Sequence, residues 1–158
     1  MQRKAPVVAA VLAAGIAATS VGRADVPAGY WLTENGRAIV QIEPCGSSIC
    51  GRLAWLANPT QSDGTPKRDE NNPDRGARMQ TLCGLELIGE FMRARDDRWE
   101  GGYIYNPRDG KKYSAWLALD GSDRLKVRGY LGLPLLGQTQ TWTRIDGNRG
   151  GCAHLFDN

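Results

Sequence analysis

Residues 98–131, RWEGGYIYNPRDGKKYSAWLALDGSDRLKVRGYL, decide the fold. They contain three stretches with period-two alternation, separated by short breaks of Gly, Pro, Asn and Asp. Alternation of this kind marks a strand with one buried and one wet face, and short breaks join antiparallel neighbours. In the break Asn106-Pro107-Arg108-Asp109-Gly110, Pro stands where φ is held near about −65° and Gly where φ is positive. Leu125, Val127 and Gly129 oppose Arg124, Lys126 and Arg128, and Tyr113, Ala115, Leu117 and Leu119 share a face. The same spacing puts Trp99, Tyr103 and Tyr105 on one face of the first stretch.

Working outward, the rhythm predicts eight strands, at 29–33, 37–43, 49–56, 85–93, 98–105, 112–119, 124–131 and 138–145. Asn35-Gly36 reads as a two-residue hairpin turn. No stretch after residue 24 carries a sustained helical period, so parallel strands would lack crossover helices. The expected fold is all-β, a single antiparallel up-and-down barrel of about eight strands, with a two-sheet sandwich as runner-up. A chain of 158 residues fits one domain, and 41% hydrophobic residues with five Trp exclude disorder. Twenty Gly and eight Pro favour turns, and collagen, coiled coil and membrane bundle are excluded.

Arg3 and Lys4 precede a small, apolar run over 7–18, too short to span a bilayer but suited to a secretory signal peptide. Gly22 and Ala24 supply small residues for cleavage, so residues 1–24 are read as a signal peptide and 25–158 as the barrel domain. The expected location is periplasmic or secreted, with no integral membrane segment in the mature chain. The net charge of +3 then disappears, because the leader holds three of the 20 basic residues and none of the 17 acidic ones. With Arg124, Lys126 and Arg128 as one short basic row, nucleic acid is not an expected partner.

Export favours disulfides among Cys45, Cys50, Cys83 and Cys152. Of three connectivities, Cys45 with Cys50 and Cys83 with Cys152 is favoured; the first would pin a tight turn and the second close a long loop. A zinc site is the alternative, opposed by the lack of a C-x-x-C pair or a His near the first three Cys. No metal and no cofactor are expected.

One connection, 58–81, is long for a compact domain and is the place to look for specificity, with Asp69, Asn71, Asp74 and Arg78 as its candidates. The segments Gly29-Tyr30-Trp31, Cys45-Gly46 to Leu53, Asn71-Asn72-Pro73-Asp74, Tyr105 to Tyr113, Leu125 to Tyr130 and Thr141-Trp142-Thr143-Arg144 resemble a bacterial family catalogued as domain of unknown function 2147. The likeness covers nearly the whole mature chain and implies an exported, lipocalin-like barrel without an assigned activity. It also implies that Trp31 and Arg144 meet at the closed end, guanidinium over indole. Cys83 falls where the family pattern suggests an apolar residue, in keeping with a private pairing to Cys152.

The leading functional expectation is a barrel binding a small apolar or amphipathic ligand, with Trp55, Tyr103, Tyr105 and Tyr113 as interior stacking residues. The plain alternative is a barrel filled by its own side chains. Three further readings compete. A hydrolase would use carboxylates among Asp69, Glu70 and Asp74, calcium would be held by Asp69, Asn71 and Asp74, and an envelope interaction module would act through the 58–81 loop with an unnamed protein partner. Against the first two stand the absence of a G-x-S-x-G segment, a lone His154 in a Gly-rich tail, and the habit of Asn and Asp of capping their own backbone. The leader reading predicts that intact-mass measurement of exported protein finds Asp25 at the N-terminus; retention of Met1 would contradict it.

Overall fold

The computed structural model describes residues 26–147 and Cys152. The expected signal peptide and His154 lie outside the described residues. The strands are β1 (Gly29–Leu32), β2 (Ala38–Cys45), β3 (Ser48–Leu56), β4 (Glu86–Arg95), β5 (Arg98–Asn106), β6 (Lys111–Asp120), β7 (Arg124–Tyr130) and β8 (Gln138–Ile145). They form a closed antiparallel barrel in chain order. Tyr30 faces Ile145, Trp31 faces Arg144 and Leu32 faces Thr143 where β8 meets β1. The barrel, not the sandwich, is therefore the architecture, and strand ends depart from the sequence reading by no more than two residues. The first turn differs more. Asn35 Oδ1 accepts from Arg37 N–H at 3.0 Å and from the Thr33 hydroxyl at 3.0 Å, so residues 33–37, not Asn35-Gly36 alone, connect β1 to β2.

Among the described residues the register shifts at five places where one strand carries an extra residue, and three of these bear on the core positions and the expected interior aromatics. In β5, Trp99 and Gly102 face Leu117 and Ala115, so the positive-φ Gly101 marks an insertion after Trp99. Ile88 and Phe91 of β4 face Gly51 and Ile49, with Glu90 between them at φ 66°. Leu53 and Trp55 of β3 face Val40 and Ile39. A bulge adds one residue to a period of two and so exchanges the faces beyond it.

Connections alternate between the two ends of an up-and-down barrel. One end is sealed. Trp31 is fully buried there and donates its indole N–H to the Pro27 carbonyl at 2.8 Å. The Arg144 guanidinium lies 4.2 Å from the indole centroid and donates to the carbonyls of Ala28 and Ser122, each at 2.6 Å. Ile42, Phe91, Trp99, Leu117 and Leu125 fill the interior with them. Two disulfides brace the fold: Cys45–Cys50 across the β2–β3 turn, with Cα atoms 5.8 Å apart, and Cys83–Cys152, with Cα atoms 5.3 Å apart. Because every cysteine sulfur is in a disulfide, the zinc alternative is withdrawn, and the grouping of Glu43 with Cys45 and Cys50 offers no thiolate. The outer wall bears Arg52, Glu86, Glu100, Lys112 and Lys126, the inverse of the apolar outer band of a membrane barrel. Among the described residues, no helix is long and apolar enough to cross a membrane.

Gly29 sits at φ 127°, and a Cβ there would stand 2.7 Å from Arg144 Nη1. Gly29→Ala is expected to lower unfolding stability by about 2–4 kcal/mol, from backbone strain and loss of the guanidinium seat. Denaturant titration should show a lower midpoint at unchanged slope; an unchanged midpoint would contradict the closure geometry.

Candidate functional site

The other end of the barrel is open, ringed by the connections 33–37, 57–85, 107–110 and 131–137. Inside it lies a cavity of about 900 Å³. Leu53, Val127 and Trp142 belong both to its wall and to the buried core, and Ala38, Leu56, Leu87, Ile104 and Tyr113 extend the wall. Arg37, Lys67 and Arg108 stand toward the loops, with Gln138 and Gln140, and among the described residues no Asp or Glu lines the cavity. The interior is therefore not solid. One end of the barrel is packed by the core, and the other encloses this space.

The four aromatics expected inside are divided by the bulges. Tyr113 faces inward, opposite Ile104 on β5. Its hydroxyl donates to Asp109 Oδ2 at 2.5 Å, which holds the tyrosine above and the carboxyl below their ordinary ranges. The insertion after Trp99 turns Tyr103 and Tyr105 to the outer face, where they border a groove of about 490 Å³ between the wall and the long connection. Tyr103 donates to Glu86 at 3.0 Å, and Lys112 Nζ lies 3.8 Å from its ring centroid. Tyr105 also touches the cavity rim. Trp55, beyond the β3 insertion, stands half-buried beside Ile39 and outside the cavity wall. Simple alternation counts each strand without its extra residue, which is why these three placements are corrected.

The loop candidates fasten the loop. Asp69 is fully buried, the one buried charged side chain among the described residues, and accepts the Tyr105 hydroxyl at 2.8 and 2.9 Å and Asn72 Nδ2 at 2.7 Å. Asn71 donates to the carbonyls of Pro107 and Arg108 at 3.2 and 3.0 Å. That docking brings the Asn71 carbonyl so close to Gly110 that a Cβ at Gly110 would overlap it, at 1.9 Å. Asp74 caps the single-turn segment Arg75–Met79 by accepting from Gly76 N–H at 2.8 Å, and Arg78 donates to the Asn72 carbonyl at 2.7 Å. Glu70 accepts from Gln61 at 3.3 Å. The carboxylates of Asp69, Glu70 and Asp74 thus serve separate partners and do not share a site. Neither the paired-carboxylate nor the calcium arrangement is assembled. Arg37, Lys67, Arg108 and Trp142 escaped the sequence reading, although alternation already places Trp142 inside and strand count places the three cations at one end.

The fold defined by these features is that of a lipocalin-like barrel. A solved structure of protein HP1028 from the human pathogen Helicobacter pylori, described as belonging to the lipocalin family, superposes with a TM-score of 0.64 at 22% identity, over 75% of this chain and 82% of that one. Residues 29–144 match the family described as uncharacterized protein conserved in bacteria, DUF2147, and the chain belongs to that family. No curated protein matches it.

Burial first, then hydrogen bonding to Asp69, pushes the Tyr105 hydroxyl up to about 12, and burial and Glu86 do the same for Tyr103. A folded-state value raised above the ordinary 10.0 means stability that is complete below about pH 10 and lost as pH climbs toward 12. Tyr105→Phe is expected to cost about 1–2 kcal/mol at neutral pH and to shrink the alkaline loss. Denaturant melts at pH 8 and about pH 11 measure both effects, and an alkaline loss equal in wild type and variant would contradict the role of Tyr105.

Proposed function

We propose that the protein is exported and binds one small, partly apolar molecule in the open-end cavity, its apolar part against Leu53, Val127 and Trp142 and its polar part toward Arg37, Lys67 and Arg108. The observation that carries the reading is the cavity itself, about 900 Å³ with a core-continuous apolar floor and, among the described residues, cations but no carboxylate in its lining. Water in such a floor lacks partners, so an apolar ligand gains by replacing it. A polar end at the rim keeps its hydration or finds a guanidinium, which avoids the penalty of burying an unpaired polar group. The two disulfides and the leader pattern support an oxidising compartment. The long loop is a weaker candidate for partner recognition, since Asp69, Asn71, Asp74 and Arg78 direct polar groups to the loop and the wall.

The test is titration with dansyl-labelled undecanoic acid. Gly129 lines the cavity, and a Cβ there meets only the Tyr113 Cβ, at an ordinary 3.6 Å, so Gly129→Phe fills the space without strain at its base. Wild type is expected to bind the probe, and Gly129→Phe to weaken it by roughly tenfold or more with the melting temperature little changed. Absence of probe binding by wild type, together with no molecule extracted from protein purified from its native host, would overturn the proposal.

A further inference from the structure

The connection between β7 and β8 reads Leu131-Gly132-Leu133-Pro134-Leu135-Leu136-Gly137. Its four leucines are among the most exposed apolar side chains described, at 53%, 66%, 86% and 76% in order. A contiguous apolar patch of this kind marks a place of contact, unlike single exposed leucines scattered over a surface. The loop is also built to present them. Arg128 donates Nε to the Pro134 carbonyl at 3.0 Å, Nη2 to the Leu135 carbonyl at 3.2 Å and Nη1 to Thr139 Oγ1 at 2.7 Å. The short turn Pro134–Leu136 is closed by Leu136 N–H to the Leu133 carbonyl at 3.1 Å. One guanidinium thereby satisfies the carbonyls of Pro134 and Leu135 and holds the turn in place with its leucines exposed.

Two features say what covers these leucines. Leu131 and Leu136 line the cavity, so the exposed patch and the apolar interior are continuous. Among the described residues the same lining holds Arg37, Lys67 and Arg108 and no carboxylate. The acids of the flanking connections, Glu34 and Asp109, accept from Thr141 N–H and the Tyr113 hydroxyl, and those of the long connection, Asp63, Asp69, Glu70 and Asp74, accept from Thr65, Tyr105, Gln61 and Gly76. Apolar side chains on one short loop, with cations on the same rim, complement a bilayer with anionic headgroups, where insertion of a few leucines needs no extended face. A standard protein interface, by contrast, covers about 800 Å² per partner, whereas this patch is confined to seven residues.

We infer that the open end docks on an anionic lipid surface, with Leu133 and Leu135 inserted among the lipids and Arg37, Lys67 and Arg108 over the headgroups, so that the cavity mouth faces the membrane. The inference goes beyond ligand binding in solution, because Leu133 and Leu135 lie outside the cavity wall and their replacement leaves the cavity intact.

The experiment is co-sedimentation of the oxidised mature chain with large vesicles of phosphatidylglycerol and phosphatidylcholine in equal parts, and with phosphatidylcholine alone. Wild type is expected to sediment with the mixed vesicles, and less as salt is raised. Leu133→Asp with Leu135→Asp should reduce the association roughly tenfold or more. Both positions are exposed in a turn, so the double variant should keep the wild-type melting temperature and bind dansyl-labelled undecanoic acid unchanged. Equal sedimentation of wild type and double variant, or none by wild type, would overturn the inference. So would a concentration-dependent dimer that the double variant abolishes, which would assign the leucines to a second copy. Loss of probe binding by wild type bears on the cavity reading alone.

Discussion

The pairing of β8 with β1 is the constraint on which the structure depends. An eight-stranded meander that failed to close would expose two edges of unpaired N–H and C=O groups and leave its inner face against water. β1 has only four residues, so the backbone bonds it can offer are few. Side chains compensate. Arg144, opposite Trp31 in the register, covers the indole and satisfies carbonyls from the chain entering β1 and from the β6–β7 turn. One guanidinium thereby ties three parts of the chain to one buried indole. Gly29 belongs to the same device, since any side chain there would meet that guanidinium.

Sealing one end has a consequence for the other. Trp31, Phe91 and Trp99 fill the closed half, whereas in the open half the small Ala38, Val127 and Gly129 stand among larger wall residues such as Tyr113 and Trp142 and leave space between them. The cavity follows from this division of volume along the barrel axis. The long connection then contributes by being held still. Burying Asp69 would be costly in isolation, but Tyr105 and Asn72 occupy both its oxygens, and Asn71 clamps the loop to the β5–β6 turn. The residues that look most chemical in the sequence thus maintain the rim of the cavity, and the ligand-facing surface is built from residues that look ordinary.

Much of the fold was legible because its signals are local. Alternation identified every strand, turn chemistry placed the breaks, and the motifs around Trp31 and Arg144 pointed to the closed end. Even the clustering of Arg37, Lys67, Arg108 and the leucine loop at one mouth could be read, since alternate connections of a meander share an end. The faces of Trp55, Tyr103 and Tyr105 could not. Each lies beyond an inserted residue, and a bulge is set by how two strands pair, which neither strand states alone. The roles of Asp69 and Asn71 were hidden for a similar reason. Their partners, Tyr105, Pro107 and Arg108, lie some 36 residues away, and an acidic loop reads the same whether it binds a ligand or its own wall.

By itself, then, the sequence determined the strand number and the antiparallel order, because both depend on residue type at short spacing, while the closing pair of Trp31 and Arg144 was implied only by the family resemblance. The tertiary structure alone decided that the barrel is hollow at one end, which aromatics face its interior, and that the leucine loop stands exposed beside the opening. Those properties depend on how strands register and how volume is shared between the ends of a closed sheet, and both exist only once distant segments have met.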